Sequence, residues 1–555
     1  MRRIILWLGA VVFLAVFFFL PLSKILILGI GQGGLGKILQ PAWQIVIPVL
    51  GFTIYQALLS TILTLLVGLP GAYLFSHYDF LGKKWFKALT GVPFMLPTVV
   101  VAAGFNALLG NRGLLNVSLM NWFGFENPPI IFINTLGAIL LAHVFYNTTI
   151  VLRLVGNTWE RLDPRLEQSA QVLGASPWEV FKKVTLPLLT PSILASSMLV
   201  FLFDFTSFGV IILMGGPHFA TLEVAIYIQS LQLLNLPMAA FLSIVQLIST
   251  LIFSIIYSRM MSKGSVISRQ TVNPQRRLHT WRSRLLAWLV LGFFILLFIL
   301  PMLALPIRSV LQFDPALGVR ASQPIRITLD YYRELFINRT GSIFFIPPIQ
   351  ALMNSIKYSL MTVAISLLLS FPVAYSLARP RKLDRILDPL LLLPLGSSAV
   401  SLGLGYIITF NHPPLNLLIS PWIVPLAHST IAMPFVIRSL QPVLASIPDE
   451  YRMAASVLGA PPINAWLKVT WPFASKAALA SGIFAFTISL GEFGATSLLA
   501  RPENPTIPLA IYRFISQPGA MNYGQAMAMA TILMVATTIS ILLFEKIQLP
   551  GNKVF

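Results

Sequence analysis

The sequence contains no cysteine. That excludes disulfides, c-type haem attachment, zinc–thiolate sites and a cysteine nucleophile. Charge is also scarce: 10% of residues are Asp, Glu, Lys or Arg, where soluble domains run near ~25%. The six histidines, His77, His143, His218, His279, His412 and His428, show no H-x-x-x-H or H-E-x-x-H spacing. No local cluster marks a metal site or a nucleophile, which argues against an enzyme. What is abundant is apolar: 56% of residues are hydrophobic and mean hydropathy is +0.82. A 555-residue chain of this composition cannot hide its apolar residues in one soluble core, and its runs reach membrane-spanning length.

Twelve spans are expected, near 4–28, 48–75, 88–110, 131–152, 188–214, 237–258, 285–310, 351–378, 386–410, 421–440, 473–495 and 524–544. The first follows Arg2 and Arg3, as a signal peptide would, but it is long and no small-x-small site follows closely, so it reads as a retained span. A polar stretch separates the sixth and seventh spans. The division is therefore a first membrane domain over 1–262, a cytoplasmic linker over 263–284 and a second membrane domain over 285–555. Placing the N-terminus in the cytoplasm puts 27 of the 38 Lys and Arg on the inner side. These include Lys83, Lys84, Lys87, Arg161, Arg165, Lys182, Lys183, the run from Arg259 to Arg284, Arg379, Arg381, Lys382, Arg438, Arg452, Lys468, Lys546 and Lys553. This positive-inside bias places both termini in the cytoplasm. It also accounts for the net charge of +20 by topology and lipid contact, with no nucleic acid as partner.

The two halves resemble each other. At a shift of 285, Leu173-Gly174-Ala175 matches Leu458-Gly459-Ala460, Lys183-Val184-Thr185 matches Lys468-Val469-Thr470, and Pro187 matches Pro472. Phe208-Gly209 matches Phe493-Gly494, and Ala225-Ile226-Tyr227 matches Ala510-Ile511-Tyr512. Upstream, Pro70-Gly71-Ala72-Tyr73 resembles Pro372-Val373-Ala374-Tyr375 at a shift of 302. Two repeats of six helices run parallel, related by an axis along the membrane normal, and a transport path at their seam is the natural consequence. The fold class is thus all-α and polytopic.

Each half carries a long basic-side loop. Asp163 can cap a helix with Pro164 at its first position, running through Ala170 to Gly174. Ser176-Pro177-Trp178-Glu179 then carries a capping box. Trp178 and Phe181 share a face of this second short helix, and Trp466 takes Phe181's place in the other half. There the pattern recurs from Pro448 through Gly459 to Pro472, with Pro461-Pro462 lacking the serine. Helix, glycine bend, helix makes a rigid docking knob, and two such knobs call for a symmetric pair of partner subunits.

These loops resemble the E-A-A-x-x-x-G coupling loop of ABC importer permeases. The first reads Gln168-Ser169-Ala170-Gln171-Val172-Leu173-Gly174, followed by Leu186-Pro187. The second reads Met453-Ala454-Ala455-Ser456-Val457-Leu458-Gly459, followed by Trp471-Pro472. The usual glutamate is absent from both, with Glu167, Glu450 or neither in compensation. The resemblance covers nearly the whole chain and points to the fused type, with both permease halves in one polypeptide. It implies that Ala170, Leu173, Gly174, Ala175 and Pro187, with Ala455, Leu458, Gly459, Ala460 and Pro472, couple to an ATPase. The implied partners are two ATPase copies on the cytoplasmic face and an extracytoplasmic solute-binding protein. The implied location is a bacterial or archaeal inner or plasma membrane. Ser489-Leu490-Gly491-Glu492-Phe493-Gly494-Ala495-Thr496 resembles a segment of sulfate, molybdate, iron(III) and thiamine permeases. The first-half counterpart, Phe205-Thr206-Ser207-Phe208-Gly209-Val210, followed by Gly215-Gly216-Pro217 and Ala220-Thr221-Leu222-Glu223, looks most like thiamine permeases. The cargo so implied is thiamine or a thiamine phosphate, with iron(III) the alternative.

No cofactor is expected on this chain. Gly31-Gln32-Gly33-Gly34-Leu35-Gly36-Lys37-Ile38 approaches a phosphate loop, but Ile38 cannot ligate magnesium and the segment follows a membrane span rather than a strand. ATP and magnesium would be used by the partner ATPase. The rival class is an ion-coupled secondary transporter, which would need no docking knobs. Asp204 and Glu492 are the acids expected well inside spans, where an unpaired carboxylate is costly and normally faces protein or a wet cavity. Under the 285 shift Asp204 matches Ser489 and Ser207 matches Glu492. These four, with Phe208 and Phe493, are the candidate path residues, and Phe205 is a further candidate ring. His143 matches His428 at the same shift, as a structural or path pair.

Overall fold

A computed structural model describes residues 2–31, 35–216, 218–263, 276–278, 280–312, 326–337, 347–413 and 415–547. Most of the expected linker at 263–284, part of the glycine-rich segment at 31–38, Pro217, Arg320, Arg339 and Lys553 lie outside the described residues.

The chain is a helical membrane protein of two parallel repeats. The spanning helices of the first are α1 (Ile4–Gly31), α2 (Trp43–His77), α3 (Thr98–Phe123), α4 (Leu136–Glu160), α5 (Pro177–Phe205) and α6 (Leu236–Arg259). Those of the second are α7 (Ser283–Ser309), α8 (Pro348–Leu377), α10 (Ile423–Ser446), α11 (Ile463–Gly491) and α12 (Ala520–Phe544), with the shorter apolar helix α9 (Ala399–Phe410) between α8 and α10. Eleven of these are long and apolar enough to cross a membrane among the described residues, and α9 is shorter. The expected spans at 88–110 and 386–410 begin later, at Thr98 and Ala399. Pro93 and Pro97 interrupt the first of these and Pro394 the second, since proline removes a ladder donor and restricts the residue before it.

Four π-helical turns sit directly before an X-Pro pair: Ala15–Phe19 before Leu20-Pro21, Phe181–Thr185 before Leu186-Pro187, Ile295–Ile299 before Leu300-Pro301, and Trp466–Thr470 before Trp471-Pro472. Leu20 and Leu186 donate back five residues, to Ala15 and Phe181. The wider turn makes room for a proline that has no N–H and whose ring crowds the preceding turn. Two of these wider turns lie where the basic-side loops lead into the long helices at Leu186 and Trp471.

In each half, α2, α4 and α5, or α8, α10 and α11, pack on one another, with α4 and α10 the most enclosed. Of the most apolar stretch of α4, 83% is buried, and of α10, 78%, against 33% for α1 and 28% for α7. The outer helices are shared between halves. Helix α1 packs on the second half, where Trp7 Nε1 donates to Asp384 at 2.8 Å, and α7 packs on α3 of the first. Glycines set both approaches: a Cβ on Gly104 would stand 3.0 Å from the Pro301 carbonyl oxygen, and one on Gly405 would stand 2.9 Å from Pro21 Cβ. Small residues at such crossings replace the hydrophobic drive that lipid does not supply.

Candidate functional site

The two basic-side loops are built alike. Asp163 caps the helix Pro164–Val172 by accepting from the Arg165 amide at 3.0 Å. The helix ends at Gly174, φ +89°, and its counterpart Asp449–Val457 ends at Gly459, φ +78°. The amides of Gly174 and Ala175 return to the carbonyls of Gln171 and Ala170, and those of Gly459 and Ala460 to Ser456 and Ala455. This is a Schellman closure, which satisfies carbonyls that the helix end would otherwise leave open. Ala170 and Ala175, like Ala455 and Ala460, are its two ends, so these four residues act locally through their backbone. Ser176 and Glu179 form the expected capping box, and the Trp178 and Phe181 rings stack at 5.6 Å. No residue of either first loop helix is buried. Leu173 is 87% exposed and Leu458 86%. Pro187 and Pro472, also exposed, lie just after the π turns.

The loops differ behind this shared surface. Glu167 turns inward and accepts from Thr185 Oγ1 at 2.6 Å, bracing the loop to α5. The counterpart of Glu167 is Arg452, which donates to Tyr375 Oη at 2.7 Å and to Asp449 at 2.6 Å. Asp449 also holds Arg379 at 2.7 Å. Thr470 Oγ1, the counterpart of Thr185, is buried without a hydrogen-bond partner. Glu167 is thus half-buried and braces its loop, whereas Glu450 is exposed.

The candidate path residues gather where the halves meet, with two corrections. Helices α5 and α11 stop at Phe205 and Gly491, so Asp204 lies at a helix end and Glu492 beyond one, rather than well inside spans. Short helices restart at Gly209 and Gly494. Packing is close at both glycines: a Cβ on Gly209 would collide with Thr98 Oγ1 at 2.2 Å and stand 3.3 Å from the Phe493 ring, and one on Gly494 would make a tight contact with Ala399 Cβ at 3.1 Å. The second correction concerns Phe205. It is buried among Phe201 and Phe253, away from the seam.

A cavity of ≈ 390 Å³ opens at this break. Asp204, Ser207, Phe208, Glu492 and Phe493 line it, and Ser489 does not. Ser489 lies behind, bonded to His428 at 2.7 Å and to Thr362 at 3.2 Å. Phe208 and Phe493 stack across the seam with centroids 5.4 Å apart, and Tyr227 and Tyr512 flank them, each 5.4 Å from its own half's phenylalanine. Asn147 donates to Asp204 Oδ1 at 2.6 Å. Glu492 caps its short helix, accepting from the amides of Ala495 and Thr496 at 2.9 and 3.0 Å. His143 and His428 join the same two clusters through Ser207 at 2.9 Å and Glu492 at 3.1 Å.

Glu223 escaped the sequence reading. It is 2% exposed, lines the cavity and sits on the helix Leu222–Tyr227. Six residues are too few for a periodic signal. Two signals were available: its place in the family-like segment Ala220-Thr221-Leu222-Glu223, and an acid interrupting the apolar run Leu222 to Ile228. Among the described residues lining the cavity none is Lys or Arg. A chamber of this size, with carboxylates and stacked rings, suits a small molecule that carries positive charge and a flat apolar surface.

The family model for the binding-protein-dependent transport system inner membrane component matches residues 60–261 and again 366–553. The thiamine transport system permease protein ThiP of Brucella abortus is 26% identical over 87% of this chain and 84% of its own length. That of Escherichia coli K12 is 27% identical over 91% and 89%, and a probable ABC transporter permease of Sinorhizobium fredii is 24% identical over 90% and 87%. A solved bacterial ABC transporter involved in alginate import is similar at 19% identity and a TM-score of 0.39, over 48% of this chain and 98% of its own. Two matched units, two parallel helical repeats and relatives that are permeases over most of their length lead to one conclusion: the chain belongs to the binding-protein-dependent inner membrane component family and is a fused, two-unit permease of an ABC importer.

Proposed function

We propose that this permease carries thiamine across the cell membrane, driven by two copies of a separate ATPase that dock on the loops ending at Gly174 and Gly459. A solute-binding protein delivers the cargo from the opposite face, and both termini lie in the cytoplasm. The observation that carries the cargo reading is the seam cavity, where buried carboxyl groups meet the stacked Phe208 and Phe493. Thiamine combines a positive charge with flat aromatic rings. The thiamine permeases among the relatives agree with it. The docking role is supported by the two loops' matching exposed tips, Val172-Leu173 and Val457-Leu458. Identical tips suit identical partners. The reciprocal packing of α1 and α7 supports a single two-part membrane unit over 1–262 and 285–555.

The test is uptake of labelled thiamine and of iron(III) into proteoliposomes containing permease, ATPase and binding protein. ATP-dependent thiamine uptake is expected. Iron uptake without thiamine uptake would replace the cargo and keep the importer. Thiamine uptake on an ion gradient with the ATPase omitted would overturn the docking reading.

A further inference from the structure

Three carboxylates reach the seam cavity, and their surroundings differ. Glu492 is satisfied within the protein: besides two amides it accepts from Thr496 Oγ1 at 2.8 Å and stands 3.1 Å from His428 Nε2. Asp204 is 1% exposed, and its Oδ2 is buried with the Ser60 hydroxyl beside it but no hydrogen bond of good geometry. His143 Nδ1 stands 3.4 Å from the other oxygen without bonding it. Glu223 accepts a long hydrogen bond from Gln246, at 3.3 Å, and one from Ser398 of the second half. The pseudo-symmetry supplies no counterparts: Ser489 stands where Asp204 would be and Pro508 where Glu223 would be. Of the three acids, the Asp204 carboxyl leaves an oxygen without a hydrogen bond of good geometry, and Glu223 stands on the same first-half wall. A buried carboxylate without a partner is expensive, and a cationic cargo would supply the missing counter-charge.

We propose that the permease holds its cargo asymmetrically: Asp204 and Glu223 of the first half bind the positive centre of a small organic cation, while the second half contributes the Phe493 ring and no charge. This rests on the reading that the seam cavity is the transport path. The division of labour explains why the two acids in the repeated segments do not coincide. One serves the cargo and the other caps a helix.

The purified permease–ATPase complex in lipid nanodiscs is treated with a membrane-permeant fluorescent carbodiimide, and modified carboxylates are identified by peptide mass spectrometry. Thiamine, choline and uncharged sucrose are added as protectants. Asp204 and Glu223 are expected to be modified and Glu492 spared. Thiamine at about ten times its Kd should cut labelling about tenfold, as occupancy of a single site requires, while sucrose should not. Protection by choline with none by thiamine keeps the asymmetric cation site and removes thiamine as cargo. Labelling of Glu492 with Asp204 and Glu223 unmodified overturns the proposal. So does an absence of protection by both cations, or equal protection by sucrose. In transport, Glu223→Gln should raise KM for the carried cation about tenfold or more, roughly the cost of losing one charge-assisted contact, and Glu223→Asp should recover part of it. An unchanged KM in Glu223→Gln also overturns the proposal.

Discussion

His143 and His428 occupy equivalent positions in the two halves yet meet their carboxylates through opposite ring nitrogens. Nδ1 of His143 lies 3.4 Å from Asp204 with Nε2 on Ser207, whereas Nε2 of His428 lies 3.1 Å from Glu492 with Nδ1 on Ser489. Each histidine stands between one acid and one serine, in reversed order along the helix. His428 is the better bonded, since Thr496 Oγ1 also lies 2.9 Å from Nε2. Replacing it by leucine leaves Ser489 and Glu492 short of a partner in a buried site. His428→Leu should cost about 1–3 kcal/mol, the usual penalty of an unmatched buried polar group. A lower melting temperature of the detergent-solubilised protein would register it, and an unchanged one would argue against the bonding described.

The bend in each loop depends on backbone conformation alone. Nothing lies within 4 Å of a Cβ placed on Gly174 or Gly459, so a side chain there meets no steric obstacle. The left-handed φ is the obstacle, costing about 1–2 kcal/mol for a residue with a Cβ. Gly174→Val should therefore leave membrane abundance intact and weaken co-purification of the ATPase. Gly174→Asn should do so less, because asparagine tolerates this region. Equal retention of the ATPase by all three proteins would separate the bend from docking.

The anchors behind the loops should respond differently. Glu167→Ala removes the bond to Thr185, a loss of about 0.5–1.5 kcal/mol, and should speed amide exchange over 164–173 without affecting 449–458. Arg452→Ala should produce the reverse pattern by releasing Tyr375 and Asp449. Hydrogen-exchange mass spectrometry reads both, and identical profiles in the two variants would refute separate anchoring.

Cutting the chain between α6 and α7 tests the exchange of leading helices. Residues 1–262 alone expose the α1 surface that packs on the second half, including Trp7, which is 2% exposed in the intact chain. That fragment should be degraded when expressed alone and persist when co-expressed with 263–555. Gly405→Leu should weaken this association, because a Cβ already reaches Pro21 at 2.9 Å. Stable accumulation of the isolated first fragment would show that the packing against α8 and α9 is dispensable.

The features legible in the amino-acid sequence are local or compositional. Eleven of the twelve expected apolar runs form helices long enough to cross a bilayer among the described residues, and they are legible because a bilayer requires their length and apolarity whatever surrounds them. The loop motif was legible to the residue: the Asp163 cap, the Ser176–Glu179 box and the glycine bend are made by atoms within about six positions of one another. The shift of 285 revealed the repeat. Long-range packing settles the rest. Helices α5 and α11 end at Phe205 and Gly491, and the chain restarts at Gly209 and Gly494 in close contact with Thr98, Phe493 and Ala399, contacts invisible to any periodic pattern. Phe205 and Phe208 are three residues apart in the same apolar run, and only the break between them sends one to α6 and the other to the seam. Which acid is satisfied also depends on distant partners: Asn147 for Asp204, and Gln246 and Ser398 for Glu223. Within a bilayer, helices gain little from burying apolar surface against one another. Close glycine contacts and polar bonds far apart in sequence therefore choose the arrangement.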